Sequence, residues 1–205
     1  AEDDIILVSK LGMSLKFQAN DEQLRPMGRQ TAGVQGMKFR EGDELLDMDV
    51  VWGDSDKDLF VVTNEGFAKR TAISEYRLQG RNGFGVKAVQ LAEGRGSLVG
   101  AVIVEEDDQI MAIMKSGKVI RSNVDEVKRT GRTTQGVTFA KPDKNDEIIS
   151  IARNEEKDDD ESAENAENAT VDATVNEGTA QSSESAVEAP AETNAESGDG
   201  ENVEA

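Results

Sequence analysis

The sequence predicts an all-β protein built from propeller-like repeats of about four strands each, followed by a disordered acidic tail. Two observations predict the repeats: a hairpin turn that ends in glycine occurs three times, and a motif containing glycine and arginine follows each turn. A third observation predicts the tail, because residues 154–205 contain no Ile, Leu, Met, Phe, Trp or Tyr. We therefore expect repeats over residues 1–153 and a disordered segment over residues 154–205.

The first 153 residues are expected to form short strands. Apolar runs rich in Ile, Val and Leu are separated by glycine-containing turns, and these runs are residues 5–8, 59–62, 98–104 and 110–113. No stretch keeps a 3.6-residue apolar period over three turns, as an amphipathic helix would. The pattern therefore favours strands throughout this part of the chain.

Each repeat is predicted to contain a tight hairpin. The turns are Lys10-Leu11-Gly12, Asn64-Glu65-Gly66 and Lys115-Ser116-Gly117, so that the glycines are 54 and 51 residues apart. A three-residue hairpin loop needs its last residue at positive φ, which glycine adopts without a steric penalty. We therefore expect a strand on either side of all three turns.

A second motif, G-R-x-x-x-G-V, follows each hairpin. It occupies Gly28–Val34, Gly80–Val86 and Gly131–Val137, with spacings of 52 and 51 residues. Another strand pair is expected after each copy, at roughly residues 34–51, 86–104 and 137–152. Two motifs in three phased copies are typical of a propeller-like repeat.

The net charge of −19 is distributed unevenly along the chain. Residues 153–205 carry two bases and 17 acids, a net charge of −15, whereas residues 1–152 carry 21 bases and 25 acids, a net charge of −4. The tail has too little apolar surface to offset the entropy of ordering it. The acidic total therefore does not exclude a polyanionic partner for the repeats.

The composition also excludes several classes of site. The sequence has no Cys and no His, so it has no disulfide, no thiolate metal site and no histidine base or ligand. No apolar run approaches the roughly 20 residues of a membrane span, and the acidic start does not resemble a signal peptide. We therefore expect a cytoplasmic protein that contacts no membrane. The strand-like segment that follows the start at once suggests a piece of a longer protein.

Basic residues recur in phase with the repeats. Three positions are basic in every copy: the fourth residue after the hairpin glycine, the third residue before the second motif, and the arginine of that motif. The nine residues are Lys16, Arg70 and Arg121, then Arg25, Arg77 and Lys128, then Arg29, Arg81 and Arg132. Repeats would align these charges along one rim, where duplex DNA, with one phosphate charge per about 1.7 Å of axis, fits as the partner. We predict that these nine residues, together with Lys69, contact DNA.

No feature of the sequence suggests base reading or catalysis. Recognition helices, zinc fingers and aromatic stacking platforms are not evident, so we expect phosphate contacts and DNA bending. Gly83–Ala88 fits a dinucleotide-binding pattern, but a strand is expected after it where that pattern needs a helix. The acidic run Glu105–Asp108 is expected to be a solvated loop. No catalytic constellation and no metal site are predicted.

Several segments resemble the C-terminal domain of the DNA gyrase A subunit family. These segments are Leu24–Arg29 with Ala32–Val34 and Glu41–Asp43, Gly66–Thr71 with Glu75 and Tyr76, Asp108–Met111, and Gly131–Val137. The resemblance covers residues 5–153 and extends to a sister family, the topoisomerase IV C subunit. It implies the last three or so blades of a six-bladed β-pinwheel that bends duplex DNA around a basic rim and supports negative supercoiling.

The resemblance further implies an ATP-dependent type II topoisomerase. This chain would hold no cofactor, because ATP and magnesium belong to other parts of that enzyme, and its partner would be the gyrase B subunit in an A2B2 heterotetramer. Tyr76 does not match the context of the catalytic tyrosine of the family, so the chain is not expected to be catalytic alone. The signature box of gyrase is not present in the sequence, which leaves the topoisomerase IV domain as an alternative. A non-enzymatic β-propeller scaffold that binds acidic partners along its rim is a second alternative.

The acidic tail allows two roles. A tail of charge −15 tethered beside a basic rim could act as a weak internal competitor for DNA, since tethering raises its effective concentration. The alternative is a tail that only increases solubility.

Overall fold

The computed structural model describes residues 3–52 and 56–154. The predicted disordered tail therefore lies outside the described residues, except for Asn154, which ends the last strand. Among the described residues no helix is long and apolar enough to cross a membrane.

The described residues form an all-β structure, as the sequence predicts. Two short 3-10 turns, Ile73–Glu75 and Val124–Glu126, supply the helical residues of the part that the structure describes. The strands are β1 (Asp4–Ser9), β2 (Met13–Gln18), β3 (Leu45–Val51), β4 (Asp58–Thr63), β5 (Phe67–Ala72), β6 (Val86–Lys87), β7 (Leu98–Val104), β8 (Gln109–Met114), β9 (Val119–Asn123), β10 (Val137–Thr138) and β11 (Ile148–Asn154).

The strands form three antiparallel sheets that do not coincide with the three sequence repeats. The first sheet has the order β3-β1-β2-β6, the second β10-β5-β4-β7 and the third β11-β8-β9. Strand β6 belongs to the second repeat but pairs with β2 of the first, and β10 of the third repeat pairs with β5 of the second. The second and third repeats therefore each pass one short strand to the sheet before them.

This exchange changes the strand pair that was expected after each motif. In the second and third repeats the motif leads into a two-residue strand that leaves for the preceding sheet, and a long strand then returns to its own hairpin. In the first repeat only β3 forms within the expected range of residues 34–51. The expectation of four strands per repeat holds for the second and third repeats, whereas the first has three.

The hairpin turns have the geometry that the sequence predicts. The glycine at the third position has positive φ in all three copies, at 83° for Gly12, 83° for Gly66 and 87° for Gly117. The amide of Gly66 donates to the carbonyl of Thr63 at 3.0 Å and closes the turn. A residue with a Cβ would be strained at this backbone angle.

The second glycine of the G-R-x-x-x-G-V motif is required by both its backbone angle and its surroundings. Gly136 has φ of 80°, and a Cβ added there would lie 2.6 Å from the carbonyl oxygen of Ala68 in the preceding hairpin. Gly85 repeats this arrangement, since its Cβ would lie 2.1 Å from the carbonyl oxygen of Ser14. The motif therefore permits one chain segment to lie directly on the edge of the preceding sheet.

Two of the three hydrophobic cores lie between successive sheets, and the third packs within the first repeat around Leu7, Leu15, Phe17 and Met37. Strand β4 is buried along its whole length, and its residues alternate between two cores. Leu59 and Val61 pack with Ile6 and Val8 of the first sheet, whereas Phe60 and Val62 pack with the third sheet. A strand covered on both faces is expected to be continuously apolar, as β4 largely is.

We predict that the motif glycine contributes more to stability than a glycine with the same backbone angle in open space. Gly94 has φ of 76° and no atom within 4 Å of an added Cβ, so Gly94→Ala should lower the free energy of unfolding by about 1–2 kcal/mol. Gly136→Ala should cost about 1–3 kcal/mol more, because its Cβ meets the carbonyl of Ala68. Urea unfolding of both variants measures the difference, and equal losses would contradict this docking of the third repeat on the second.

Candidate nucleic-acid interface

The boundary between two repeats is built by a segment that we call the motif arm. The three motif arms are residues 28–35, 80–87 and 131–138. The second arm lies on the hairpin of the first repeat, and the third arm lies on the hairpin of the second repeat. Each arm also contacts the residues that follow the arm before it, since the amide of Lys38 donates to Gly83 O at 2.8 Å and that of Gln90 to Thr134 O at 3.0 Å. Successive arms are therefore joined through the main chain.

The motif arginines tie each arm to the preceding repeat. The guanidinium of Arg132 donates to the carbonyl of Lys87 at 3.0 Å, and its main-chain amide donates to the carboxylate of Glu75 at 3.1 Å. Arg81 makes the same two contacts one repeat earlier, with Gln35 O at 2.9 Å and the side chain of Gln23 at 3.1 Å. Both arginines are half-buried, whereas Arg29 of the first arm is exposed. This position therefore has a structural role at two boundaries.

The position three residues before the motif is exposed in all three repeats, at Arg25, Arg77 and Lys128. In the second and third repeats, the residue that follows this position pairs through its main chain with the preceding hairpin. Leu78 forms a parallel bridge with Lys16, so that Arg77 comes next to a basic residue of the first repeat. This is the one predicted position that is exposed in all three repeats, and at two boundaries the residue that follows it pairs with a basic residue of the preceding repeat.

The position four residues after the hairpin glycine differs between repeats. Arg121 is exposed, whereas Lys16 is half-buried, with its ammonium 3.8 Å from the carboxylate of Asp4. Arg70 is buried, and its guanidinium lies 3.3 Å from both Asp58 and Glu106. Asp58 occupies the same position in β4 as Asp4 in β1. The structure therefore does not give these three residues one common environment.

A second arginine shares the buried carboxylate of Asp58. The Nε atom of Arg129 lies 2.9 Å from Asp58 Oδ1, and its Nη1 atom lies 3.4 Å from the exposed Asp56. Hydrogen bonding to Asp58 raises the pKa of Arg129, which therefore stays charged. Arg70 and Arg129 belong to neighbouring repeats and also form a parallel bridge. The cluster joins the second and third repeats and leaves Arg70 little access to an external ligand.

Lys69 lies in the interior. Its side chain is 1% exposed, and its Nζ donates to the carbonyl of Ala88 at 2.6 Å and to that of Arg132. The equivalent residues in the other repeats are Leu15 and Ile120. Burial lowers the pKa of Lys69 to about 8, with Glu75 opposing the shift and Arg132 adding to it. A lysine in this position connects two main-chain segments and presents no charge to the surface.

The ten predicted residues thus fall into three groups. Five are exposed, three are half-buried and two are buried. The exposed residues are Arg25, Arg29, Arg77, Arg121 and Lys128, the half-buried residues are Lys16, Arg81 and Arg132, and the buried residues are Lys69 and Arg70. DNA contact stays a prediction for the first two groups, whereas the geometry gives Lys69 and Arg70 structural roles.

The sequence analysis did not predict Arg129 and Arg95, because neither position is basic in every repeat. Arg129 corresponds to Leu78 in the repeat before it, and Arg95 corresponds to Asp43. Arg95 reaches across the boundary, where its Nη1 donates to Gly136 O at 3.2 Å and its guanidinium lies 4.3 Å from the centre of the Phe67 ring. A comparison that asks only which positions are basic in every copy cannot find such residues. The signal that could have indicated Arg129 is the buried acid at Asp58.

Tyr76, the one tyrosine of the chain, is 2% exposed and packs in the core between the first two sheets. Burial raises its pKa, partly opposed by a hydrogen bond with Thr71. Among the described residues no group of three or more His, Cys, Asp or Glu is arranged to hold a metal ion.

Three comparisons bear on this arrangement. A family model described as DNA gyrase C-terminal domain, beta-propeller, matches residues 3–51, 57–105 and 108–155. The chain is 54% identical over 156 residues to the DNA gyrase A subunit of Streptomyces coelicolor. The aligned residues make up 76% of the chain and 18% of that relative. It is 49% identical over 172 residues to the DNA gyrase A subunit of Mycolicibacterium smegmatis. The aligned residues make up 84% of the chain and 20% of that relative. The chain thus spans about a fifth of the length of these relatives.

Two solved structures are also similar. The DNA gyrase A C-terminal domain matches with a TM-score of 0.67 and 29% identity, over 74% of this chain and 50% of that one. The C-terminal domain of DNA topoisomerase IV matches with a TM-score of 0.68 and 22% identity, over 74% and 46%. The second similarity shows the fold alone.

We predict that Lys69 makes stability depend on pH. Between pH 8 and 9.5 the folded protein releases the proton of Lys69 while the unfolded chain, with an ordinary lysine pKa near 10.4, keeps it. The unfolded state then binds more protons, so the free energy of unfolding should rise with pH by about 1–2 kcal/mol across this window. Lys69→Met should abolish that rise, which urea unfolding at several pH values measures.

The pH dependence of stability should differ between the two proteins mainly in this window. Above pH 10 the raised pKa of Tyr76 makes the stability of both fall, because the tyrosine ionises first in the unfolded chain. Parallel curves for the wild type and Lys69→Met between pH 8 and 9.5 would contradict the burial of a titrating lysine.

Proposed function

The chain belongs to the family of DNA gyrase C-terminal β-propeller domains, and from this we propose that it is the DNA-binding and DNA-wrapping part of a bacterial gyrase A subunit. In this proposal the exposed and half-buried bases at the repeat boundaries contact the phosphates of duplex DNA. Bending of the DNA around them supports negative supercoiling by an ATP-dependent type II topoisomerase.

The observation that carries the proposal is the arrangement of bases at the repeat boundaries. Arg77 follows the second hairpin but lies beside Lys16 of the first repeat, and Lys128 lies next to Arg129, whose main chain pairs with Arg70. Because each boundary is built in the same way, the bases recur at regular structural intervals. Regularly spaced basic residues fit a polyanion with evenly spaced charges, and binding of this kind needs no particular base sequence.

The secondary structure supports binding through phosphates. Within residues 3–52 and 56–154 the helical segments are two three-residue turns, which are too short to enter the major groove as a recognition helix. Sequence preference would then arise from how easily a given DNA bends.

We further propose that the chain does not catalyse strand cleavage alone. Tyr76 is buried in the core, so its hydroxyl group is not available to attack a phosphate. The catalytic tyrosine, ATP and magnesium would belong to other parts of a cytoplasmic enzyme that contains the gyrase B subunit in an A2B2 heterotetramer. The predicted limits of the folded part, residues 1–153, remain part of this proposal.

Gyrase is favoured over the two alternatives. The named relatives at 49–54% identity are gyrase A subunits, whereas the topoisomerase IV domain is 22% identical and supports only the fold. A protein-binding scaffold would not require exposed bases at the same position in all three repeats.

We predict that removing the bases at the position that is exposed in all three repeats weakens DNA binding through charge. The triple variant Arg25→Ala, Arg77→Ala and Lys128→Ala should bind random-sequence duplex more weakly. The slope of log K against log salt should fall in magnitude by about 2.7, since each lost phosphate contact contributes about 0.9. Fluorescence anisotropy titrations at several salt concentrations measure the slope.

A variant with the same change in charge provides the control. Lys10, Lys115 and Lys118 lie at the hairpin turns, at the opposite end of the hairpin strands from Arg25 and Lys128, and Lys10 is half-buried whereas the other two are exposed. Their replacement by alanine should leave the slope close to that of the wild type. An equal reduction in both triple variants would indicate a general charge effect and would count against an interface at the repeat boundaries.

A further inference from the structure

The second motif arm carries an exposed aromatic ring at the boundary between the first two repeats. Phe84 lies between Gly83 and Gly85 and is 48% exposed. The equivalent residues of the other two arms are Ala32 and Gln135. Of the three arms, the second is therefore the one that presents an apolar ring at this position.

The two flanking glycines direct the ring away from the first repeat. A Cβ at Gly83 would lie 3.3 Å from the side chain of Leu15, and one at Gly85 would lie 2.1 Å from the carbonyl oxygen of Ser14. Both glycines therefore face β2, and the arm lies flat on that strand. The side chain of Phe84, between them, extends toward solvent.

The exposure of this position follows from the geometry of a docked arm. Gln135 occupies the same place in the third arm, which lies on the second repeat, and Gln135 is exposed as well. A preceding repeat thus covers the glycine side of an arm and leaves this side chain accessible.

Exposed basic residues accompany the ring. The guanidinium of Arg40 lies 5.5 Å from the centre of the Phe84 ring, a cation–π contact that restrains the ring. Lys38 lies beside the same arm, since its amide donates to Gly83 O at 2.8 Å, and Lys87 belongs to that arm. All three bases are exposed. An apolar ring among cations matches a ligand that has apolar groups bordered by negative charges.

We propose that Phe84 contacts the methyl group of a thymine in the major groove of bound duplex DNA, while the basic side chains around it contact phosphates. This inference rests on the proposed function and adds one base contact to binding that otherwise uses phosphates. The thymine methyl is the apolar group on the base edges of the major groove. That groove is about 12 Å wide and admits a loop, whereas the minor groove is about 6 Å wide.

Insertion of the ring between two base pairs does not suit a surface that wraps DNA. Apolar side chains inserted from the minor groove open the stack on their own side and kink the duplex toward the major groove. The duplex then bends away from the inserted residue, whereas wrapping requires a bend toward the protein. A contact with a methyl group leaves the stack closed and is compatible with that bend.

Replacement of thymine by uracil tests the contact from the side of the DNA, because uracil lacks only the methyl group. Two duplexes of one A·T-rich sequence, with thymine or with uracil, are titrated with the full chain and followed by fluorescence anisotropy. Hairpin-capped ends prevent the ring from stacking on a terminal base pair. The wild type should bind the thymine duplex about fourfold more tightly, which is what burial of one methyl-sized group contributes.

Two variants test the contact from the side of the protein. Phe84→Ala should bind both duplexes equally, with an unchanged slope of log K against log salt because no charge is lost. Met48→Ala is the control, since Met48 is 55% exposed on β3, at the opposite edge of the first sheet from the arm. This control should keep the fourfold preference for thymine.

Equal binding of the two duplexes by the wild type would overturn the proposal. The same thymine preference in Phe84→Ala as in the wild type would also overturn it, because the preference would then come from the bending of the DNA itself. Both results leave the proposed function intact as long as binding depends on salt. A wild type that binds neither duplex at low salt would instead contradict the proposed function.

Discussion

The contact on which the rest of the structure depends is the docking of a motif arm on the hairpin of the preceding repeat. It requires a glycine at positive φ, because the carbonyl oxygen of Ala68 or Ser14 occupies the space of a Cβ. Since this contact joins one repeat to the sheet of another, no sheet with a docked arm is complete within its own repeat. Two cores then form between sheets, and β4 contributes to both of them, so it is buried on both faces.

The same contact explains why basic residues have different roles at equivalent positions. Arg81 and Arg132 donate to main-chain carbonyls of the preceding repeat, so their charge is used partly to hold the arm. Arg70 and Lys69 are drawn further into the boundary, where Asp58 and main-chain carbonyls bind them. Arg77 and its equivalents lie just outside this packing and remain accessible. The proposed DNA interface is thus the outer margin of a boundary whose inner part is structural.

Much of the fold could be predicted from the sequence, because local chemistry determines it. The hairpin glycines indicate turns at Gly12, Gly66 and Gly117, and apolar runs rich in Ile, Val and Leu indicate the strands. The exchange of β6 and β10 could not be predicted, since the period of a repeat is the same whether its short strand stays or leaves. For the same reason the in-phase basic residues could be recognised in the sequence, but the sequence could not show which of them are buried. Lys69 and Arg70 are sequence neighbours on opposite sides of a strand, and each is buried partly by the third repeat, through Arg132 and Arg129 respectively.

Lysine modification with and without duplex DNA, followed by mass spectrometry, tests the central claim most directly. The account predicts that Lys128, at the outer margin of a boundary, is protected by DNA, while Lys10 and Lys115 at the hairpin turns react equally in both states. It also predicts that Lys69 reacts little in either state, because its ammonium is enclosed by the docked third arm. Ready modification of Lys69 in the folded protein, or equal protection of Lys10, Lys115 and Lys128, would contradict it.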